Sequence, residues 1–233
     1  MRSRFAVLGL GHFGFNLSLA LTKKGAEVLA VDNRESQVER LRDRVAHAVV
    51  ADAKDKGALA SLGLEDMDAV IVAIGEDFES SILATANLQE IGVKKISSRV
   101  VSPTHEKLLK LMNVEDLILP EAEAAEQFAH KLIRKGILEY LEISKDHSIV
   151  ELHVPKIFVK KTLGDLNLRK NYGINLITII KSVKKAGLFS LKKEPEENKV
   201  IGVLDGSYVF EPDDILVVFG SESSIKKILD LSK

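Results

Sequence analysis

The chain has 233 residues, room for one large domain or two small ones, and its 45% hydrophobic and 29% charged residues form an ordinary globular balance. It contains no cysteine, which excludes a disulfide framework, thiolate zinc sites and cysteine nucleophiles. Lys plus Arg number 33 and Asp plus Glu 34, so no net charge draws it toward nucleic acid.

Residues 1–4 lead straight into an apolar run at 5–8, with no hydrophobic leader, and no run approaches the roughly 20 apolar residues of a membrane span. A cytoplasmic, soluble protein is expected. The run ends in Gly9-Leu10-Gly11-His12-Phe13-Gly14, a G-x-G-x-x-G at a strand-to-helix turn. In such a turn the first glycine permits the sharp bend and the second lets a pyrophosphate approach the backbone. The third lets the helix pack on the strand. Free N–H groups at the helix start then face the anion. The next apolar strand, 27–31, closes on Asp32. An acidic residue about 20 positions on is placed to accept hydrogen bonds from ribose hydroxyls. Turn and carboxylate together predict an adenine nucleotide.

A polar helix is expected over 35–44, a strand over 47–50, a helix over 54–62 and a fully buried strand over 69–74. Helices over 81–91 and 104–112 and strands over 95–98 and 116–119 complete six strands. Continuous apolar strands alternating with helices predict an α/β, Rossmann-like, doubly wound parallel sheet over 1–120. Its strand ends would turn Gly9, Gly11, His12, Phe13, Gly14, Asp32, Asn33, Asp52, Ala53, Ala73, Gly75 and Arg99 toward one nucleotide.

Over 121–141, small or apolar residues at Ala125, Phe128, Ala129, Leu132, Ile133, Gly136, Ile137 and Tyr140 follow helical spacing. They are read as one linking or crossover helix. It packs either on its own sheet or on a partner subunit, and its position after a completed sheet favours dimerisation. Residues 142–233 are read as a small α+β domain. Strands are expected over 148–154, 174–180, 199–204 and 215–219, short helical turns over 162–169, a charged flexible loop over 187–199 and a last helix over 223–231.

No reaction chemistry is evident. His12, His47, His105, His130, His147 and His153 are scattered, none at a spacing that forms an acid/base dyad. His12, inside the glycine turn, reads as a ligand contact. There is no G-x-S-x-G and no Walker loop. A nucleotide held without chemistry points to a sensor. The alternatives are a small NAD-dependent oxidoreductase, with Asp32 arguing against NADP, and a free-standing sensor acting on another membrane protein.

The sequence resembles the soluble RCK regulatory subunits of bacterial Trk/Ktr potassium-uptake systems along its whole length. The matching pieces are the glycine turn, Val31-Asp32, Ala51-Asp52-Ala53, residues 71–75, Leu119-Pro120-Glu121 and residues 166–175. The resemblance implies ATP or ADP, in some members NAD(H), in the first domain. It also implies homodimers that assemble into an octameric ring beneath a membrane potassium channel or transporter, so the chain would be peripheral to the inner face of the membrane. Carried onto this chain, Gly9, Gly11 and Gly14 pass the phosphates, Asp32 holds the ribose and Asp52 and Ala53 border the adenine. Arg99 meets a phosphate or is a solvated strand terminus. Glu121 helps hold Mg²⁺ or Ca²⁺ or is a helix-start carboxylate. Position 12, often arginine in ATP-responsive members, is His12 here, which leaves room for NAD(H) or a pH-modulated response. The C-terminal domain resembles the TrkA-C module. There Arg169 and Asn175 either contact cyclic di-AMP or tie together the local turn and strand.

Overall fold

The computed structural model describes residues 2–133, 136–183 and 197–231, and the chain divides into two compact units, Met1–Glu123 and Ala124–Lys233. In the first unit β1 (Arg4–Leu8) buries Ala6, Val7 and Leu8 completely. Consecutive rather than alternating burial means that both faces of the strand are covered. β1 is followed by α1 (His12–Lys23), β2 (Glu27–Asp32), α2 (Glu35–Glu39), β3 (His47–Val50), α3 (Lys56–Ala60), β4 (Ala69–Val72) and α4 (Phe78–Ile91). β5 (Ile96–Arg99), α5 (Pro103–Leu111), β6 (Asp116–Ile118) and the start of α6 (Pro120–Ile133) complete it.

The six strands are parallel in the order β3-β2-β1-β4-β5-β6. Successive residues of β1 feed opposite cores. Ala6 and Leu8 pack with Leu59, Ala84 and Leu88, whereas Val7 packs with Leu10, Val38 and Leu41. The strand order reverses between β1 and β4, and ligands of such sheets sit over the carboxyl ends at that point.

The second unit contains the end of α6, then β7 (Ile137–Ser144), β8 (His147–His153), α7 (Leu163–Leu166), α8 (Leu168–Tyr172) and β9 (Ile174–Val183). β10 (Glu197–Val200), β11 (Ile215–Ser221) and α9 (Glu222–Asp230) close the chain. The strands form an antiparallel sheet ordered β10-β9-β11-β8-β7. Leu152, Ile179, Leu216 and Val218 from one side of it pack with Phe158, Phe210, Ile225 and Ile228. This is the α+β arrangement expected.

Two expected elements are corrected, the strand read over 199–204, which ends at Val200, and the linking helix. The helix read over 121–141 stops at Ile133, and residues from Ile137 onward form β7, antiparallel to β8 in a register that sets Ile137 opposite Leu152 and Tyr140 opposite Val150. Gly136 sits at φ +98°, a left-handed conformation that a helix interior does not allow. Residues 187–196 of the expected loop lie outside the described residues, and 197–199 belong to β10. Among the described residues, no helix is long and apolar enough to cross a membrane.

Candidate functional site

The carboxyl ends of β1, β2, β4 and β5 open on a cavity of about 480 Å³, within the range of small-ligand pockets (about 300–1,000 Å³). Gly9, Gly11, His12, Asp32, Asn33, Asp52, Ala53, Ala73, Gly75, Arg99 and Glu121 all line it. Phe13 and Gly14, also expected there, are not among its lining residues. Phe13 offers its ring to Arg99, whose guanidinium carbon is 5.9 Å from the ring centroid.

Two of the three motif glycines are required by the protein, each for a different reason. Gly9 has φ +92°, and a Cβ there would meet Ile74 Cγ1 at 2.9 Å. A Cβ on Gly14 would overlap the Gly9 carbonyl oxygen, so α1 packs against the turn only without one. Gly11 has φ −63° and ψ −169°, which any residue adopts, and a Cβ there would meet no protein atom within 4 Å. The protein needs glycine at 9 and 14; nothing in the protein needs it at 11.

The start of α1 is also open. Asp55, Asp77 and Ser102 cap α3, α4 and α5 with side-chain oxygens, but α1 has Gly11 at its N-cap, no side-chain cap and no acidic residue in its first turn. Its leading N–H groups therefore retain their demand for an acceptor, and the helix dipole adds positive potential at the same place.

Asp32 ends β2 and is buried. Its Oδ2 accepts the Leu10 N–H at 2.7 Å, and its Oδ1 accepts from Arg34 N at 2.9 Å and Arg34 Nε at 3.2 Å. The carboxylate is thus fixed across the glycine turn, with lone-pair capacity left for a hydroxyl. The bond to Asp32 raises the pKa of the Arg34 guanidinium.

Arg99, at the end of β5, lies over Gly75, where a Cβ would overlap its guanidinium. Arg99 Nη2 donates to Glu121 Oε1 in the first turn of α6. Arg99 is largely buried and Glu121 exposed, and Arg99 Nε has no hydrogen-bond partner. Among the described residues, the one His/Cys/Asp/Glu group with metal-ligating spacing does not include Glu121.

Arg34, Glu76, Asp77 and Ser80 line the cavity as well and were not singled out from the sequence. Asp77 caps α4, accepting from Ser80 N at 3.1 Å and from the Ser80 hydroxyl, and these bonds lower its pKa. The Asp-x-x-Ser spacing at a helix start was the available signal. In the second unit Arg169 Nε donates to Asn175 Oδ1 at 2.7 Å. The two residues are brought together, joining α8 to the start of β9.

Residues 5–120 match the TrkA-N domain and residues 147–233 the TrkA-C domain. The chain is 37% identical over 227 residues to Ktr system potassium uptake protein C of Bacillus subtilis (strain 168), covering 97% of this chain and 96% of that protein. It is 33% identical over 224 residues to Ktr system potassium uptake protein A of the same organism, covering 96% and 94%. Among solved structures it is similar to the GsuK RCK domain, with TM-score 0.60 and 18% identity, covering 99% of this chain and 48% of that one. The chain therefore spans about half the length of that structure. It is also similar to the NAD(P)-binding domain of an exopolyphosphatase-related protein from Archaeoglobus fulgidus, with TM-score 0.51 and 29% identity, covering 57% and 98%.

Proposed function

Because the chain belongs to the TrkA family of potassium-uptake proteins, through its TrkA-N and TrkA-C domains, we propose that it is a nucleotide-sensing regulatory subunit. Its first unit would bind an adenine nucleotide, and its assembly would gate a membrane potassium channel or transporter. Gly11 is the observation that carries the reading. It lines the cavity beneath an uncapped helix start, and no atom of the protein requires it to be glycine. A phosphate approaching the backbone accounts for both features. The ribose then falls to Asp32, and Asp52 and Ala53 border the adenine. The named relatives are potassium uptake proteins, not enzymes, so a regulator is favoured over an oxidoreductase.

The charge of the cavity bears on the ligand. Asp32, Asp52, Glu76, Asp77 and Glu121 set five carboxylates against two guanidiniums, Arg34 and Arg99. Both guanidiniums already have carboxylate partners. A triphosphate in this field needs a cation, and Mg²⁺ or Ca²⁺ beside Glu121 would supply it. A dinucleotide with two phosphates needs it less. ATP or ADP with a divalent ion, and NAD(H) without one, are therefore the two ligands to compare. The Archaeoglobus fulgidus neighbour, named an NAD(P)-binding domain, supports including the second. Its 2′-phosphate form is disfavoured by Asp32.

Transmission needs a contact that differs between the empty and loaded states. Arg99–Glu121 is such a contact, because a phosphate near Arg99 competes with the carboxylate that begins α6. Exposed Phe128 and Leu132 on α6 support pairing with a second copy and, through it, the octameric ring of the family. Arg169 and Asn175 are the candidate contacts for cyclic di-AMP.

Calorimetric titration of nucleotide-stripped full-length protein with ATP, ADP and NADH, with and without Mg²⁺, tests the reading. Micromolar binding without turnover is expected. No binding of any of the three overturns it, and NADH oxidation with an acceptor returns the oxidoreductase.

A further inference from the structure

In the second unit, Glu126, His130 and Glu142 bring one imidazole nitrogen and two carboxylate oxygens within 4.8 Å of one another. Glu126 and His130 are four residues apart on α6 and so share a face, with Glu126 Oε1 3.8 Å from His130 Nε2. Glu142 comes from β7, beyond the glycine that ends the helical run. The donors thus belong to two elements rather than to one acidic face.

The imidazole is held before any ion arrives. Its ring stacks on Tyr140, with centroids 4.1 Å apart and planes at 22°. The Tyr140 hydroxyl in turn donates to Glu222 Oε1 at 2.8 Å. His130 is mostly sheltered while both carboxylates are exposed, so the rigid donor is inside and the adjustable ones are outside. Among the described residues, neither Glu126 nor Glu142 is ion-paired with a lysine or arginine. Two carboxylates converging on one imidazole place three donor groups where a cation can bind.

We propose that Glu126, His130 and Glu142 form a binding site for a divalent transition-metal cation, Zn²⁺ foremost, with water in the remaining positions. The imidazole selects against Mg²⁺ and Ca²⁺, which take oxygen ligands, and one nitrogen with two oxygens suits Zn²⁺. Bonds of about 2.0–2.2 Å require the donors to draw closer than they now lie. The exposed glutamates do so by rotamer changes. The bound ion would clamp the end of α6 to β7. This site is independent of the nucleotide reading, since none of its residues lines the cavity at Gly11.

The test titrates metal-stripped, nucleotide-free full-length protein with ZnCl₂ in the calorimeter and with CoCl₂ in the visible spectrometer. One Zn²⁺ per chain and cobalt d–d bands are expected, with MgCl₂ failing to displace either. His130→Gln and Glu142→Gln should each weaken Zn²⁺ binding by roughly tenfold or more. His47→Gln, which removes another histidine near a carboxylate (Glu27, 3.9 Å), should leave it intact. Glu142 is exposed, so its variant decides the matter if His130→Gln does not fold. The proposal is overturned if the wild type takes up no Zn²⁺, if Glu142→Gln binds it as tightly as the wild type, or if His47→Gln abolishes binding.

Discussion

Replacing Gly11 by alanine puts a methyl group into space that no protein atom occupies within 4 Å, at φ −63° and ψ −169°. Two small terms of opposite sign act on stability. Removing glycine restricts the unfolded chain and stabilises by about 0.4–1 kcal/mol. Alanine is a poorer N-cap than glycine, by a fraction of the roughly 1 kcal/mol that separates good caps from alanine. They nearly cancel, so the melting temperature should move by no more than a few degrees. Nucleotide affinity should behave differently, because the new methyl stands where a phosphate would approach the backbone. A loss of at least tenfold, about 1.4 kcal/mol, is expected. Gly14→Ala is the reciprocal control. Its Cβ would overlap the Gly9 carbonyl oxygen and stand 3.1 Å from the Ala73 Cβ, so α1 must shift, at about 1–3 kcal/mol. Thermal denaturation reads the first quantity and calorimetric titration with ATP and NADH the second. If Gly11→Ala bound both nucleotides as tightly as the wild type, the phosphate would not pass over Gly11 and the reasoning would fail.

Glu121→Gln removes the carboxylate that occupies Arg99, so ATP binding without divalent ions should tighten several-fold and its dependence on Mg²⁺ should shrink; titrations in EDTA and in Mg²⁺ check both. Burial lowers the His105 pKa below its ordinary 6.5. The folded state favours the neutral ring, so this contribution is complete above 6.5 and is lost as pH falls below it. Urea midpoints across that range should decline toward acid, and His105→Gln should flatten the decline. Desolvation first, then the hydrogen bond to Asp214, raises the Tyr208 pKa above 10.0, and the bond to Glu211 raises that of Lys181 above 10.5. A raised pKa gives stability that is present below the unfolded value and lost as pH climbs through the folded one. The second unit should therefore loosen under alkaline conditions, and Tyr208→Phe, followed by near-ultraviolet dichroism, should lessen the loss.

What was legible in the sequence is what the backbone decides locally. Gly9, Gly14 and Asp32 were readable because a tight turn, a close helix approach and a strand end each leave one residue type at one position. The sheet was readable because strands covered on both faces have no polar alternation. β7 was misread because the apolar spacing that fits a helix over 125–140 also contains Ile137 and Tyr140, which face β8 as strand residues. Only the tertiary partner distinguishes the two patterns, and Gly136 could be read either as a small packing residue or as a stop. Arg34 was missed because a lone arginine before a polar helix looks like an ordinary solvated charge. Its use depends on Asp32, two residues earlier, turning back toward it. Relations between distant residues were the least legible. Arg99 and Glu121 were each candidates, but their pairing depends on β5 and α6 meeting at the same edge of the cavity.

That pairing limits how a ligand can act. A cavity whose cations stood free would bind phosphate by simple attraction, and occupancy would change little else. Here the attraction is conditional, since Arg34 is bonded to Asp32 and Arg99 to Glu121. Asp32 is buried and also held by Leu10, so the Arg34 pair is the harder to open. Glu121 is exposed and sits in the first turn of a helix, where a released carboxylate still gains from the dipole. The Arg99 pair is therefore the one a phosphate displaces at low cost. Under the proposed function, occupancy would then be read at the start of α6, the helix that follows the last strand of the parallel sheet.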